Sequence, residues 1–187
     1  GHMREGDIDG RVTGDAFLDG TRASLQSDIA VTNEMRSLTG LDFSAGGARL
    51  TGGVSQDAAG LLTGNLVVDA ADISTAAALF LTEARGAINA DIALEPRDGD
   101  QHATINGSVR GLEMDAVTLQ NADIEATAAD LFGVPAIQGS LTAEGLEAAG
   151  IDVARLQATA TSDGTETAFD ATAALVNGTN VATRSTV

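Results

Sequence analysis

The chain has 187 residues and is 43% hydrophobic, yet it contains only five Phe and neither Trp nor Tyr. Alanine supplies much of the hydrophobic fraction, so we expect a thin, extended structure rather than a globular core. Ten basic and 27 acidic residues give a net charge of −17, which repels phosphate backbones and excludes nucleic acid as a partner. The absence of cysteine excludes disulfides, thiol nucleophiles and thiolate metal sites.

Residues 1–3, Gly-His-Met, are typical of the remnant of a cleaved expression tag. The sequence shows no signal peptide and no apolar run long enough to span a bilayer. We expect residues 4–187 to be a single elongated β-repeat fragment; the family resemblance described below implies that it is the middle section of a larger protein. Any anchoring or targeting segment would lie outside it.

The first half of the chain predicts short strands separated by polar or Gly-rich turns, at 10–18, 23–31, 48–54 and 62–68. One segment departs from this pattern. Residues 74–84 are rich in helix formers, Asp72 or Ser74 can cap their start, and Gly86 follows their end. We predict a short helix there. Because Leu79, Phe80 and Leu81 are large and apolar, this helix should lie over an end or an edge of the sheet.

From residue 88 onward, apolar side chains fall on every second position, which predicts strands with one apolar and one polar face. A turn at 96–100 interrupts the alternation, which then resumes several times. We predict that the apolar positions line a groove for an apolar cargo. They are Ile88, Ala90, Ile92, Leu94, Ile105, Val109, Leu112, Met114, Val117, Leu119, Ile124, Leu141, Ile151, Val153, Leu156 and Phe169.

A weak internal repeat relates residues 107–128 to residues 139–160. Both copies begin Gly-Ser, pass through Gly-Leu-Glu and end in Ala-Thr-Ala. Repetition at this length is typical of stacked supersecondary units that bury their faces on one another.

Catalytic chemistry has little support in the sequence. His2 belongs to the tag remnant and His102 has no histidine partner, so neither a metal site nor a His-based triad is predicted. The Asp-x-Asp pairs at 7–9 and 98–100 lack the further oxygen ligands of a calcium loop. We therefore expect no catalytic residue, no metal, no cofactor and no enzymatic activity.

Three segments carry a family resemblance. They are 139–146 (Gly-Ser-Leu-Thr-Ala-Glu-Gly-Leu), 150–160 (Gly-Ile-Asp-Val-Ala-Arg-Leu-Gln-Ala-Thr-Ala) and 71–79 (Ala-Asp-Ile-Ser-Thr-Ala-Ala-Ala-Leu). In these segments, and in texture from about residue 12 to 175, the chain resembles the TamB family. TamB is the inner-membrane-anchored subunit of the translocation and assembly module of Gram-negative bacteria, and it is related to the AsmA-like proteins that bridge the two membranes.

The resemblance implies an all-β fold, with an elongated sheet folded lengthwise into a U-shaped apolar trough, or β-taco. It implies a periplasmic location, in a parent protein anchored in the inner membrane. The implied function is phospholipid transport between the membranes, outer-membrane protein (autotransporter) assembly, or both. The implied partners are phospholipid acyl chains or nascent outer-membrane β-strands, together with an outer-membrane β-barrel assembly protein that binds elsewhere. Self-association through the groove rim is a further expectation.

The residues themselves leave alternatives open. Small inward side chains, namely Ala90, Ala103, Ala126, Ala143, Ala158, Ala160, Ala171 and Ala173, would leave width for a guest between facing walls. The same alternation is also typical of a closed, narrow β-solenoid or a thin sandwich with no cavity. The competing function is then a structural spacer or interaction domain of a secreted or surface protein that carries no cargo.

Overall fold

The computed structural model describes residues 2–4, 7–18, 21–79, 83–162 and 166–186. These residues form thirteen β-strands and one short helix. The strands are β1 His2–Arg4, β2 Asp7–Leu18, β3 Thr21–Val31, β4 Arg36–Ala45, β5 Ala48–Gln56, β6 Leu62–Ala70, β7 Ala84–Arg97, β8 Asp100–Met114, β9 Val117–Ala129, β10 Ala136–Ala148, β11 Ile151–Ser162, β12 Thr167–Leu175 and β13 Asn180–Thr186.

The strands lie in a single antiparallel sheet in the order of the sequence, from β1 to β13. Within the described residues the two outer strands do not pair with each other, so the sheet is open and not a barrel. The solvent-accessible surface is 11936 Å², whereas a compact protein of this mass exposes about 8,300 Å². The predicted all-β fold, an elongated sheet in the form of a trough, is confirmed. The proposed tag residues His2 and Met3 pair with β2.

Two-residue turns join several of the strands, as short hairpins in an antiparallel meander require. Asp98 and Gly99 connect β7 to β8, with φ of 54° and 92°. Ala149 and Gly150 connect β10 to β11, with φ of 50° and 77°. Left-handed backbone suits Gly and Asp but is unfavourable for alanine, so Ala149 is a strained position.

The helix α1 spans Ser74–Leu79 and is shorter than the predicted 74–84. Ala84 belongs to β7 because it pairs with Met114, and Phe80 and Leu81 lie outside the described residues. The Asp72 carboxylate accepts the Ser74 backbone N–H at 2.8 Å, which caps the helix and lowers the pKa of Asp72. A Cβ on Gly47 would come within 2.7 Å of the Asp72 carbonyl oxygen. The helix start therefore packs on the β4–β5 turn, at one end of the strands.

Gln101 closes a gap in the ladder between β6 and β7. The pairing of β6 with β7 ends at Gly64 and Leu94. Pro96, two residues further along β7, has no backbone N–H and cannot donate the next hydrogen bond of the ladder. The side chain of Gln101, a residue of β8, bonds the backbone of β6 at this point instead. Its Oε1 accepts the Leu62 N–H at 2.6 Å, and its Nε2 donates to the Leu62 carbonyl at 3.0 Å. Gln101 is only 1% exposed, which is consistent with a fully bonded polar group.

Candidate functional site: the apolar face of the sheet

One face of the sheet is apolar from strand to strand. We use the word row for residues that pair directly across neighbouring strands. One row, which we call the central row, crosses β2 to β13 without a polar residue; it runs through the interior of β7 to β11 and along the ends of β4, β5 and β6. It consists of Ala16, Ala23, Ala45, Ala48, Ala70, Ile88, Val109, Ala122, Ala143, Leu156, Ala173 and Val181. Such a row makes a continuous apolar strip perpendicular to the strands, about 50 Å long at the usual strand spacing.

All sixteen predicted groove residues belong to this apolar face, as the strand register and the alternation of side chains place them. Ile88, Val109 and Leu156 lie in the central row. The others fall in rows on either side of it: Ala90, Ile124 and Leu141; Ile92, Ile105 and Phe169; Leu94; Leu112, Leu119 and Val153; Met114, Val117 and Ile151.

A shared bulge explains why these residues change from odd to even numbers within one strand. Arg85 pairs with Glu113 and Ala87 pairs with Arg110. Between these two pairs β7 advances by two residues and β8 by three, so β8 contains one extra residue. The extra residue persists through four strands, at Gly111, Gln120, Gly145 and Ala154, and is lost again between β11 and β12. Gly111 and Gly145 have φ of 57° and 63°, which glycine adopts without strain.

The bulge keeps the apolar face continuous. In β8 the apolar residues are odd-numbered up to Val109 and even-numbered from Leu112. Without the extra residue, Leu112 and Met114 would point to the opposite, polar face, because a one-residue slip reverses every side chain. The bulge therefore divides the face into a broad central part and a narrower part next to the β8–β9 and β10–β11 turns.

Exposure on this face differs from the prediction for the alanines. Five alanines of the central row are only 3–5% exposed, and Ala103 is 8% exposed. These alanines are therefore almost inaccessible to solvent and add little exposed surface to the face. The surface available to a guest comes from larger side chains: Ile105 and Ile124 at 39% exposure, and Phe169 at 45%.

The sequence-based list missed the first half of the same face. The row that contains Ile124 also passes through Leu25, Phe43, Leu50 and Val68 on β3 to β6. The alternation of Leu66, Val68 and Ala70 was a usable signal. In β4, however, a bulge at Thr39 and Gly40 breaks the two-residue period and hides the pattern.

The opposite face is polar and acidic, and several of its arginines form ion pairs across strands. Arg11 binds Asp28 through two hydrogen bonds of 2.7 and 3.1 Å, and Arg49 binds Asp42 in the same way. These hydrogen bonds lower the pKa of both Asp28 and Asp42. The pairs are exposed, so each contributes little to stability, but they keep this face hydrated.

Within the described part of the chain, no three His, Cys, Asp or Glu residues are placed to hold a metal ion. His102, the histidine considered for catalysis, lies on β8 beside the fully bonded Gln101. No helix in the described ranges has the length and apolar character to cross a membrane. We therefore take the apolar face as the candidate functional site.

Comparison of this chain with protein-family models, with curated proteins and with solved structures gives no match.

Proposed function

We propose that the chain is a section of a TamB-like conduit whose apolar face carries the acyl chains of phospholipids along the length of the sheet. The observation that carries this proposal is the central row, which stays apolar across twelve consecutive strands. An ordinary antiparallel sheet buries its apolar face against a second layer. Among the described residues the close contacts of each strand are chiefly with its sequence neighbours, and Ile105, Ile124 and Phe169 on this face stay 39–45% exposed.

Energetics support a hydrocarbon guest. Each CH₂ group removed from water contributes about 0.8 kcal/mol. A guest that covers Ile105, Ile124 and Phe169 removes the apolar surface of the protein from water as well. Because the favourable contacts continue from row to row, a chain can shift along the face without losing them all at once. This is the property that a conduit requires and a fixed binding pocket lacks.

The cellular setting belongs to the same proposal and rests on the resemblance of residues 71–79, 139–146 and 150–160 to TamB. The chain would then lie in the periplasm, in a parent protein anchored in the inner membrane, and an outer-membrane barrel partner would bind elsewhere. Nascent outer-membrane strands also have one apolar face, so they are a second cargo that the same surface would accept.

A photo-crosslinking scan along β8 tests the proposal. Benzoylphenylalanine is placed at single positions of the full chain, which is then mixed with phospholipid vesicles, and lipid adducts are measured by mass spectrometry. We expect adducts at Ile105 and Val109, and then at Leu112 and Met114. The labelled positions should change from odd to even at Gly111, because the extra residue reverses the alternation there.

Matched controls come from the adjacent residues on the polar face, Asn106 and Glu113, which should give no adducts. Lipid that adheres to partly unfolded protein would label both sets alike and would refute the conduit. Absence of adducts at every position, while the circular dichroism of the β-sheet is intact, would favour the cargo-free spacer. Adducts with added outer-membrane strand peptides but not with lipid would favour the assembly role.

A further inference from the structure

We infer that the two outer edges of the sheet are complementary to each other, so that β13 of one chain binds β2 of a second copy and extends the sheet head to tail. The partner is thus a second copy of this chain. This inference goes beyond the proposed function, because it concerns the hydrogen-bonding edges of the sheet and holds with or without a cargo on the apolar face.

Both edges present backbone groups that have no strand beside them among the described residues. All seven residues of β13 are exposed, and the strand pairs with β12 on one side only. At the opposite edge, β1 covers residues 7–9 of β2, which leaves residues 10–18 without a neighbour on that side in the described ranges. An open strand edge of this kind is a template for a further strand.

Neither open segment carries the features that usually prevent edge pairing, namely proline, a bulge or a charge on the apolar face. β2 and β13 contain no proline, and their registers with β3 and β12 run without a shift. Their charged side chains lie in ion pairs with the neighbouring strand: Arg11 with Asp28, Asp15 with Arg22, and Arg184 with Asp170. Although the net charge of the chain is −17, these edges therefore offer little local repulsion to a second copy.

The hydrogen-bonding phase of β13 follows from the hairpin that joins it to β12. Leu175 donates its N–H to the Thr179 carbonyl at 2.8 Å, so these residues form a hydrogen-bonded pair of the ladder. Such pairs recur at every second residue, so the odd-numbered residues of β13 bond β12. The even-numbered residues, from Asn180 to Thr186, therefore point their N–H and C=O groups outward.

The phase of β2 follows in the same way from the β3–β4 hairpin. Thr32 donates its N–H to the Met35 carbonyl at 2.8 Å, so the even-numbered residues of β3 bond β4. The odd-numbered residues of β3 then bond their even-numbered partners in β2. The odd-numbered residues of β2 from Arg11 to Phe17 therefore point outward.

One register satisfies both edges and keeps both faces of the sheet continuous. β2 to β13 are twelve strands of an antiparallel sheet, so β2 of a second copy runs antiparallel to the β13 that it joins. With Val181 opposite Ala16 of the second copy, the central row continues from one copy into the next.

In this register the outward-facing residues of the two edges meet. The pairs are Asn180 with Phe17, Ala182 with Asp15, Arg184 with Thr13, and Thr186 with Arg11. Four such pairs form up to about eight backbone hydrogen bonds. None of them sets like charges directly opposite each other, an arrangement that would be destabilising.

The joint is short, so the association is weak. Seven residues of β13 take part, whereas a stable interface uses about 20–30 residues on each side. A head-to-tail joint also does not close on itself, since a dimer still has one free edge of each kind. Association should therefore depend on concentration and continue beyond the dimer.

Sedimentation equilibrium of the intact protein from about 10 µM to about 1 mM, a range suited to a weak interface, tests this inference. We expect the weight-average mass to rise at least about twofold over this range. Ala182→Pro and Thr13→Pro each remove one outward N–H, and proline is tolerated at an edge position whose N–H faces solvent. Each of these variants alone should stay monomeric.

An equimolar mixture of the two proline variants is the decisive measurement. The Ala182→Pro chain keeps the β2 edge open, and the Thr13→Pro chain keeps the β13 edge open. The mixture should therefore form dimers and nothing larger, because each dimer has both of its remaining edges blocked.

Thr183→Lys replaces Ala182→Pro if the proline variant loses the circular dichroism of the β-sheet. It places a charge on the apolar face of the edge strand, which also opposes edge pairing. Thr104→Lys is the matched control, since it adds the same charge to the polar face of the inner strand β8. This control should associate like the unmodified chain.

Three results overturn the inference. A monomer at every concentration excludes the joint and leaves the conduit standing. Association of both proline variants as strong as that of the unmodified chain assigns the contact to another surface, such as the apolar face. Association of Thr13→Pro by itself indicates a joint between two β13 strands, which would bring two Arg184 side chains close together.

Discussion

Replacement of Gln101 with leucine is expected to destabilise the trough, although leucine has a similar volume and suits an apolar face. The side chain of Gln101 bonds both backbone groups of Leu62 and also donates to the His102 carbonyl at 3.0 Å. Leucine would leave the N–H and C=O of the half-buried Leu62 without their partner, beneath a side chain that is only 1% exposed.

Each buried backbone group left unpaired costs about 1–3 kcal/mol. Two such groups predict a loss of about 3 kcal/mol in the free energy of unfolding, or a fall of about 6–12 °C in Tm for a chain of this size. The measurement is urea unfolding followed by circular dichroism. Hydrogen exchange should at the same time become faster at the Leu62 amide and stay unchanged at amides of β10 and β11.

Gln157→Leu is the matched control, since Gln157 is exposed on the polar face of β11 and its replacement should change stability by no more than about 0.5 kcal/mol. A second variant, Gln101→Glu, places a carboxylate oxygen against the Leu62 and His102 carbonyls. Its stability deficit should shrink as the pH falls and the carboxyl group becomes a donor. Equal stabilities of Gln101→Leu and Gln157→Leu would show that the amide does not bridge the gap at Pro96.

Two further predictions concern local backbone strain and acid sensitivity. Ala149→Asn should stabilise the chain by about 1 kcal/mol in urea unfolding, because asparagine tolerates the φ of 50° better than alanine; unchanged or lower stability would contradict the strain. Arg11→Gln should raise the pKa of Asp28 toward its ordinary value, as followed by NMR titration of the carboxyl group. Because the pKa of Asp28 is lowered in the folded state, the stability lost in this variant should be present at pH 7 and should vanish as the pH falls below about 4; a difference that persists in acid would refute the link.

The sequence predicted the fold class and much of the apolar face because alternation is a local signal. Ile88 to Leu94 needs no tertiary information to be recognised as one side of a strand. The shared bulge could not be foreseen, since the alternation changes phase at Gly111 for a reason that lies in the pairing with β7. The burial of Ala103 and Ala143 was equally out of reach, because alternation predicts the face on which an alanine lies but not how exposed it is in the folded sheet.

The helix shows the same limit. The start of the helix could be predicted from the sequence, since Asp72 and Ser74 form a local cap. Its end could not, because pairing of Ala84 with Met114 draws that residue into β7 against its helical propensity. Local preference therefore gives the existence of an element, and pairing with a distant strand decides where it stops.

Because the strands pair in the order of the sequence, the length of the sheet can change while its cross-section stays the same. Each hairpin bonds only to the one before it and the one after it, so inserting or removing a hairpin alters the span by about 10 Å and leaves the profile of the remaining strands intact. In the proposed conduit, the distance bridged would therefore change when hairpins are duplicated or deleted, without redesign of the apolar face.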